Sequence, residues 1–296
     1  PVGPWIVFLS DQRTDDVFEL FSRRSGDAAP RRLSGLLAPD GDVDSLAISS
    51  DGEWVVYRAD QDADEVFELY SVRIDASTSP VKISGTLVAG GDVSGAGILQ
   101  VQVESEMFPE YLVTAGRVAY LADQDTDGVV ELYSVPIDGS ETPVKLNAPL
   151  VPGGDVRWPF AVTADGATVV YRADQDADEI LELFRAPIDG SASSTQIHPP
   201  LAPGGIVTGF ELSADGERVV YSAGQDTSNL VEVYSAPLDG SAAPVKLNTP
   251  GLASSVAALS PDSAWVVLVQ DGLRSVPIDG SASPILLDSP PSSPSG

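Results

Sequence analysis

Three stretches of the chain place carboxylates at alternate positions and add a glutamate four residues on. They are Asp60, Asp62, Asp64 and Glu68; Asp123, Asp125, Asp127 and Glu131; and Asp174, Asp176, Asp178 and Glu182. Side chains of this type supply hard oxygen donors. Alternate carboxylates on a tight loop can converge on one cation, and calcium takes about 6–8 such oxygens. Gly128 after the third aspartate makes "DQDTDG" the best candidate. Magnesium fits less well, because it demands stricter octahedral geometry. A second chemistry explains the same letters: aspartates cap turns by accepting backbone N–H groups, and duplication copies them whatever their use. Calcium ligation and turn capping both stay open at this point.

The word erodes towards the ends of the chain. An earlier copy reads Asp11, Arg13, Asp15 and Glu19, with an arginine at the middle position; a later one reads Gly224, Asp226, Ser228 and Glu232. The last copy is only "VQDGLRS". A second acidic word, "PDGDV", "AGGDV" and "PGGDV", places Asp42, Asp92 and Asp155 just before a strand, and Ile206 replaces the aspartate in "PGGIV". Up-and-down strand counting puts both words at the same end of a sheet. There they concentrate negative potential and form a candidate surface for a basic partner. Trp158 stands beside that surface, with Phe160 two residues on, as a contact or packing residue. Met107 and Phe108 stand at the tip of an expected insertion, as a partner-binding finger or a packing lid.

Other chemistries are excluded or weak. There is no cysteine, so disulfides, thiolate metal sites and cysteine nucleophiles are absent. The single histidine, His198, sits in "TQIHPP" where sister copies carry Asn147 and Asn248. It is expected to be a solvent-facing loop residue rather than a catalytic base. No G-x-S-x-G elbow occurs. Paired carboxylates can hydrolyse glycosidic bonds, but acids are so abundant here that pairing says little, so a non-enzymatic role is expected. The 44 acids against 16 lysines and arginines oppose nucleic acid and anionic membranes. No apolar run is long enough to span a bilayer. The first residue is Pro1 rather than methionine, which suggests a processed or trimmed product.

The elements that must position these residues form a repeat. The words aligned on Phe8, Tyr57, Tyr120, Tyr171, Tyr221 and Leu268 recur at a period of roughly fifty residues. Each copy holds β-branched and aromatic runs such as "EWVVYRA", an alternating "ELYSVPID", a short "PVKLN" and a run such as "FELSADG". Asp-Gly pairs mark the hairpins between them. Four antiparallel strands per period make a propeller blade. The expectation is an all-β, six-bladed β-propeller occupying residues 1–288 as one domain. Its first blade lacks an obvious inner strand, because "PWIVFLS" already reads as a second strand. The long step between Tyr57 and Tyr120 predicts an extra hairpin over about 98–112. Residues 289–296 form a Ser/Pro-rich tail.

In Ala214–Leu247 the phrases "SADGERVVYSA", "EVYSAPLDG" and "APVKL" follow one another in an order that resembles the TolB-type, WD-like propeller repeats of bacterial envelope and secreted proteins. The resemblance runs over essentially the whole chain. It implies a secreted, periplasmic or cell-surface propeller used for docking. The expected function is a binding or scaffold module with calcium-stabilised loops and a protein or glycan partner. The alternative is a structural subunit of an extracellular assembly, exchanging a strand or the tail between protomers. Related propellers cap serine peptidases, but no hydrolase segment accompanies this one, and the sialidase S-x-D-x-G-x-T-W boxes are absent.

Overall fold

The computed structural model describes residues 4–94 and 111–287. Among them there is no helix, and the strands form six antiparallel sheets. The chain divides into two compact units, Pro1–Asn147 with Ile188–Ser191, and Ala148–Pro187 with Ala192–Gly296.

The first unit holds three sheets. Sheet one has three strands, β1 (Trp5–Ser10), β2 (Glu19–Arg24) and β3 (Arg31–Arg32). Its β1 takes the place that second strands take elsewhere, as the sequence predicts. Sheet two comprises β4 (Val43–Ile48), β5 (Trp54–Ala59), β6 (Glu68–Arg73) and β7 (Val81–Lys82). Sheet three comprises β8 (Tyr111–Val113), β9 (Arg117–Ala122), β10 (Glu131–Pro136) and β11 (Val144–Lys145). The second unit holds sheet four, β12 (Val156–Val162), β13 (Thr168–Ala173), β14 (Glu182–Pro187) and β15 (Thr195–Gln196). It also holds sheet five, β16 (Val207–Leu212), β17 (Arg218–Ala223), β18 (Glu232–Pro237) and β19 (Val245–Lys246), and sheet six, β20 (Ser255–Leu259), β21 (Trp265–Val269), β22 (Leu273–Pro277) and β23 (Ile285–Leu286).

The apolar runs explain the burial. In β5, every residue from Val55 to Ala59 is buried, because the sheet is covered on both faces. A short continuous apolar run, not an alternating one, is the mark of such a strand. Within the first unit, Leu20 and Leu33 of sheet one pack against Val55, Tyr57 and Tyr70 of sheet two. Val56, Leu69 and Ile83 pack against Val118, Tyr120 and Tyr133 of sheet three. The second unit repeats this with Val170 and Leu183 against Tyr221 and Tyr234. Each such side chain contributes about 1.5–3 kcal/mol on burial. Cross-strand ring pairs add to it; Tyr57 stacks on Tyr70 and Tyr221 on Tyr234, each pair 5.3 Å apart. The Asp-Gly hairpins are as expected, with Gly190 at φ 68° and Gly216 at φ 72°, values that favour glycine.

Two irregularities matter. First strands carry a β-bulge near their start, between Val43 and Ser45, Val207 and Gly209, and Val256 and Ala258. In sheet four the bulge is wider, from Arg157 to Ala161. In sheet three, Val93 bridges Ala122, and pairing resumes at Tyr111 opposite Tyr120. The insertion therefore enters at the bulge position of a first strand, and Tyr111 and Leu112, expected in the extra hairpin, belong to that strand itself. Met107, Phe108 and most of that hairpin lie outside the described residues, as does the tail.

The second irregularity is in sheet six. Leu20, Leu69, Leu132, Leu183 and Val233 hold one position in the third strands and are all fully buried, whereas Leu273 at that position is 39% exposed. Likewise Leu33, Ile83, Leu146 and Leu247 are buried, while the matching Leu287 is 56% exposed.

Candidate functional site

The acidic words meet at the loop ends of the sheets, where each letter has a separate task. The first aspartate is a fastener. Asp60 Oδ1 accepts the N–H of Asp42 at 2.5 Å, and its Oδ2 accepts that of Glu65 at 3.1 Å. Asp123 does the same for Asp92 and Gly128, at 2.6 and 2.9 Å. Asp174 does so for Asp155 and Glu179, at 2.6 and 3.1 Å. One oxygen thus closes the turn and the other ties it to the loop before the first strand. This is turn capping with a second bond added.

The second acidic word carries the tie across sheets. Asp42 Oδ1 accepts the N–H of Phe18, just before β2 of sheet one, at 2.6 Å, and Asp92 Oδ1 that of Phe67, just before β6 of sheet two, at 2.7 Å. Burial, with Asp60 and Asp16 nearby, holds the Asp42 carboxyl above its usual range despite the Phe18 bond. Asp155 forms an ion pair with Arg157. Backbone bonds run beside these ties, from the Asp60 N–H to the Asp42 carbonyl and from the Val43 N–H to that of Phe18, and sheet five, where Gly224 and Ile206 stand in place of the aspartates, keeps the equivalent pair, Gly224 to Ile206 and Val207 to Leu181. So Asp42, Asp92 and Asp155, expected as partner contacts, are built into the framework. Trp158 is half-buried, edge-on to Phe160 at 5.3 Å, and its carbonyl accepts from Arg172.

The glutamine inside the word was not singled out from the sequence, yet it is as engaged as the acids. Gln61 Oε1 accepts the Tyr57 hydroxyl and, from sheet one, the Gly35 N–H, both at 2.8 Å. Gln124 receives Tyr120 and Gly85, and Gln175 receives Tyr171 and Ala148. Its recurrence in "DQD" was the available signal.

The middle aspartate and the closing glutamate share a lysine from the fourth strand. Lys82 Nζ lies 2.9 Å from Asp62 and 2.9 Å from Glu68. Lys145 lies 2.8 Å from Asp125 and 2.6 Å from Glu131; Lys246 lies 2.7 Å from Asp226 and 2.6 Å from Glu232. Burial alone would lower each of these ammonium groups, but the hydrogen bonds to the two carboxylates outweigh it and raise them. In sheet one, Arg13 and Arg32 both reach Glu19, so the arginine that breaks the sequence pattern restores the charge balance.

These engagements answer the calcium expectation. Asp60, Asp123 and Asp174 spend both oxygens on backbone donors. Asp62 and Asp125, with Glu68 and Glu131, surround an ammonium. The third aspartates stand apart, Asp127 against Gly90 and Asp178 against Gly153, and Asp64 has no side-chain hydrogen bond or ion pair. Among the described residues no group of three or more His, Asp or Glu side chains is arranged to hold a metal. The donor set does not fit calcium.

His198 is also placed differently from expectation. It is 5% exposed, not solvent-facing. Its Nε2 accepts the Leu183 N–H at 3.1 Å, and its Nδ1 lies 2.7 Å from the Pro199 carbonyl. Asn147 and Asn248 hold Leu132 and Val233 in the same way. The alignment of the three residues is right, and the imidazole does an amide's work inside the sheet. Burial lowers its proton affinity, against the Pro199 bond.

No family model matches the sequence, and no curated protein sequence matches it significantly. Solved structures do. Porphyromonas gingivalis dipeptidyl peptidase 4 is similar at 12% identity and a TM-score of 0.64, over 91% of this chain and 42% of that one. An oligogalacturonate lyase from Vibrio parahaemolyticus is similar at 14% identity and 0.51, over 95% and 74%. A putative TolB from Agrobacterium tumefaciens is similar at 15% identity and 0.41, over 95% and 87%. With its six antiparallel sheets in sequence, the chain has the make-up of a six-bladed β-propeller.

Proposed function

We propose that the protein is a non-enzymatic binding module that docks a basic protein partner through its acidic loop ends. The observation that carries this reading is the position of the middle aspartates. Asp62, Asp125 and Asp226 keep 51–56% of their side-chain surface exposed, on a chain of net charge −28. The lysines beside them neutralise only part of that field. Catalysis is not part of the reading. The single histidine is buried with both ring nitrogens engaged, and calcium has no fitting donor set. The resemblance to envelope propellers supports a secreted, periplasmic or cell-surface location; among the described residues no helix is long and apolar enough to cross a membrane. An acidic glycan would be repelled by such a surface, so a glycan partner would have to be neutral or basic.

The test is binding of a lysine-rich peptide to the immobilised protein. Retention at 20 mM salt and release at 500 mM, as screening shortens the field, is the expected result. A peptide that passes through at both concentrations would remove the reading.

A second reading, a structural subunit of an assembly, is supported by sheet six. Leu273 and Leu287 are exposed where their counterparts are buried, and the edge strand β23 presents Ile285 at 59% exposure. An open apolar edge of this sort invites pairing with another chain. Sedimentation should then show concentration-dependent association that Leu287→Asp abolishes. A single species at every concentration would sink it.

A further inference from the structure

A cavity recurs at the hairpin ends of the sheets, away from the acidic loops, and it is built differently in the two units. In the first unit it lies between sheets one and two and holds about 380 Å³, with Trp5, Glu53, Arg73 and Asp75 among its walls. In the second it lies between sheets four and five and holds about 590 Å³, with Thr168, Glu217, Pro237 and Asp239 at the same repeat positions. The other wall positions correspond too, except that Arg185 and Arg218 line only the larger cavity. The sister residues there are Ser22 and Ser71 for Arg185, and Trp54 for Arg218.

Around the smaller cavity the guanidiniums are satisfied. Arg73 pairs with Glu53 and lies over the Trp54 ring. Arg31 pairs with Asp27, donates to the Asp75 carbonyl and lies over the Trp5 ring. In the larger cavity Thr168 removes the indole, and Pro237 removes the cation that would pair with Glu217. Arg185 takes over the tie to the next hairpin, from Nη2 to the Asp239 carbonyl at 3.1 Å, and its Nε donates to Thr195 Oγ1 at 3.1 Å. Arg218 Nε donates to Ser235 Oγ at 2.8 Å. These bonds leave most of the N–H donors of both side chains unused. Neither meets a carboxylate at ion-pair distance among the described residues, and Asp239 spends Oδ1 on the Ser241 N–H. In a chain of 44 acids against 16 lysines and arginines, two half-buried guanidiniums on one cavity wall without an acid are exceptional.

We propose that this cavity binds a small polar monocarboxylate, its carboxylate held by Arg185 and Arg218 and a hydroxyl or ammonium group of the same molecule donating to Glu217. The planar guanidinium fork matches a carboxylate. Glu217, exposed and without the arginine that its counterpart Glu53 has, accepts a donor and repels a second negative charge. The volume falls within the range of about 300–1,000 Å³ usual for small-molecule sites. The site shares no residue with the acidic loop ends, so it stands whether or not a basic protein binds there.

Calorimetric titration tests this at constant ionic strength with gluconate, 4-aminobutyrate, sorbitol, succinate and inorganic phosphate. A monocarboxylate should bind at a single site, and sorbitol, succinate and phosphate should not. Tighter binding of gluconate assigns the donor as a hydroxyl, and tighter binding of 4-aminobutyrate assigns it as an ammonium. The variants borrow residues that sister sheets already carry at the same positions, so the sheets keep their strands. Arg185→Ser and Arg218→Trp should each weaken binding about tenfold or more, the worth of a lost charge-assisted hydrogen bond. Thr168→Trp, which refills the cavity as Trp5 does, should abolish it with the circular dichroism unchanged. Glu217→Gln, an exposed change, should keep monocarboxylate binding and admit succinate. No binding of either monocarboxylate, equal binding of phosphate or sorbitol, or affinity unchanged in Arg185→Ser and Thr168→Trp would each overturn the proposal.

Discussion

His198 binds its backbone donor through a lone pair that protonation removes. The neutral ring accepts from Leu183, and burial lowers its proton affinity in the folded state. The groups facing it are the Pro199 carbonyl and the Tyr221 ring, 6.1 Å away. An unfolded histidine titrates at about 6.5, so between that pH and the lower folded value the unfolded chain binds more protons. Stability is therefore full above about pH 6.5 and falls as pH drops through that window. Melting curves from pH 7.5 to 5 should show this loss in the wild type and less of it in His198→Asn, whose amide serves the sister sheets. Asp60 gives a test without pH. Asp60→Ala strands two backbone donors and should cost about 1–3 kcal/mol, read by urea unfolding; Asp60→Asn, which keeps an acceptor, should cost less. The aspartate spacing was plain in the sequence, and turn capping was one of its two readings. What the letters could not show is that the two oxygens of one carboxylate serve different loops. Nor could they show that Lys82, twenty residues away, fills the space a metal would need.

At the scale of the element, the last strands of sheets one, two, three and five are two residues long yet carry the cation that balances the charge there. Lys145→Met leaves Asp125 and Glu131 facing each other without an ammonium. The lysine is one-third exposed, so solvent screens the pair and the expected loss is about 1 kcal/mol, measured by chemical denaturation and smaller at high salt. The strands themselves were legible, because Val, Tyr and Leu runs between Asp-Gly turns leave few alternatives. That sheet one has three strands among the described residues was legible too, from where the "PWIVFLS" run falls in the repeat. The bulges were not. A bulge inserts a residue without altering the apolar pattern on either side, so the letters did not show that the insertion after Ser94 interrupts a first strand, whose pairing resumes at Tyr111. His198 was misplaced for a related reason: a polar residue at a strand exit looks exposed unless its bond to the neighbouring strand is known.

For the whole molecule, 28 net negative charges repel one another in the compact state. Added salt screens that repulsion, so Tm should rise between 10 mM and 500 mM sodium chloride, as scanning calorimetry would record. A fall would mean that the lysine and arginine pairs outweigh the repulsion. The bulges have a further use at this scale. Sixteen residues, 95–110, are accommodated where sister sheets carry a residue such as Ser45 or Gly209, and the paired positions after them keep their register. The same point in sheet five, at Gly209, is thus a splice point, where a foreign peptide can be grafted while the strands around it keep their partners.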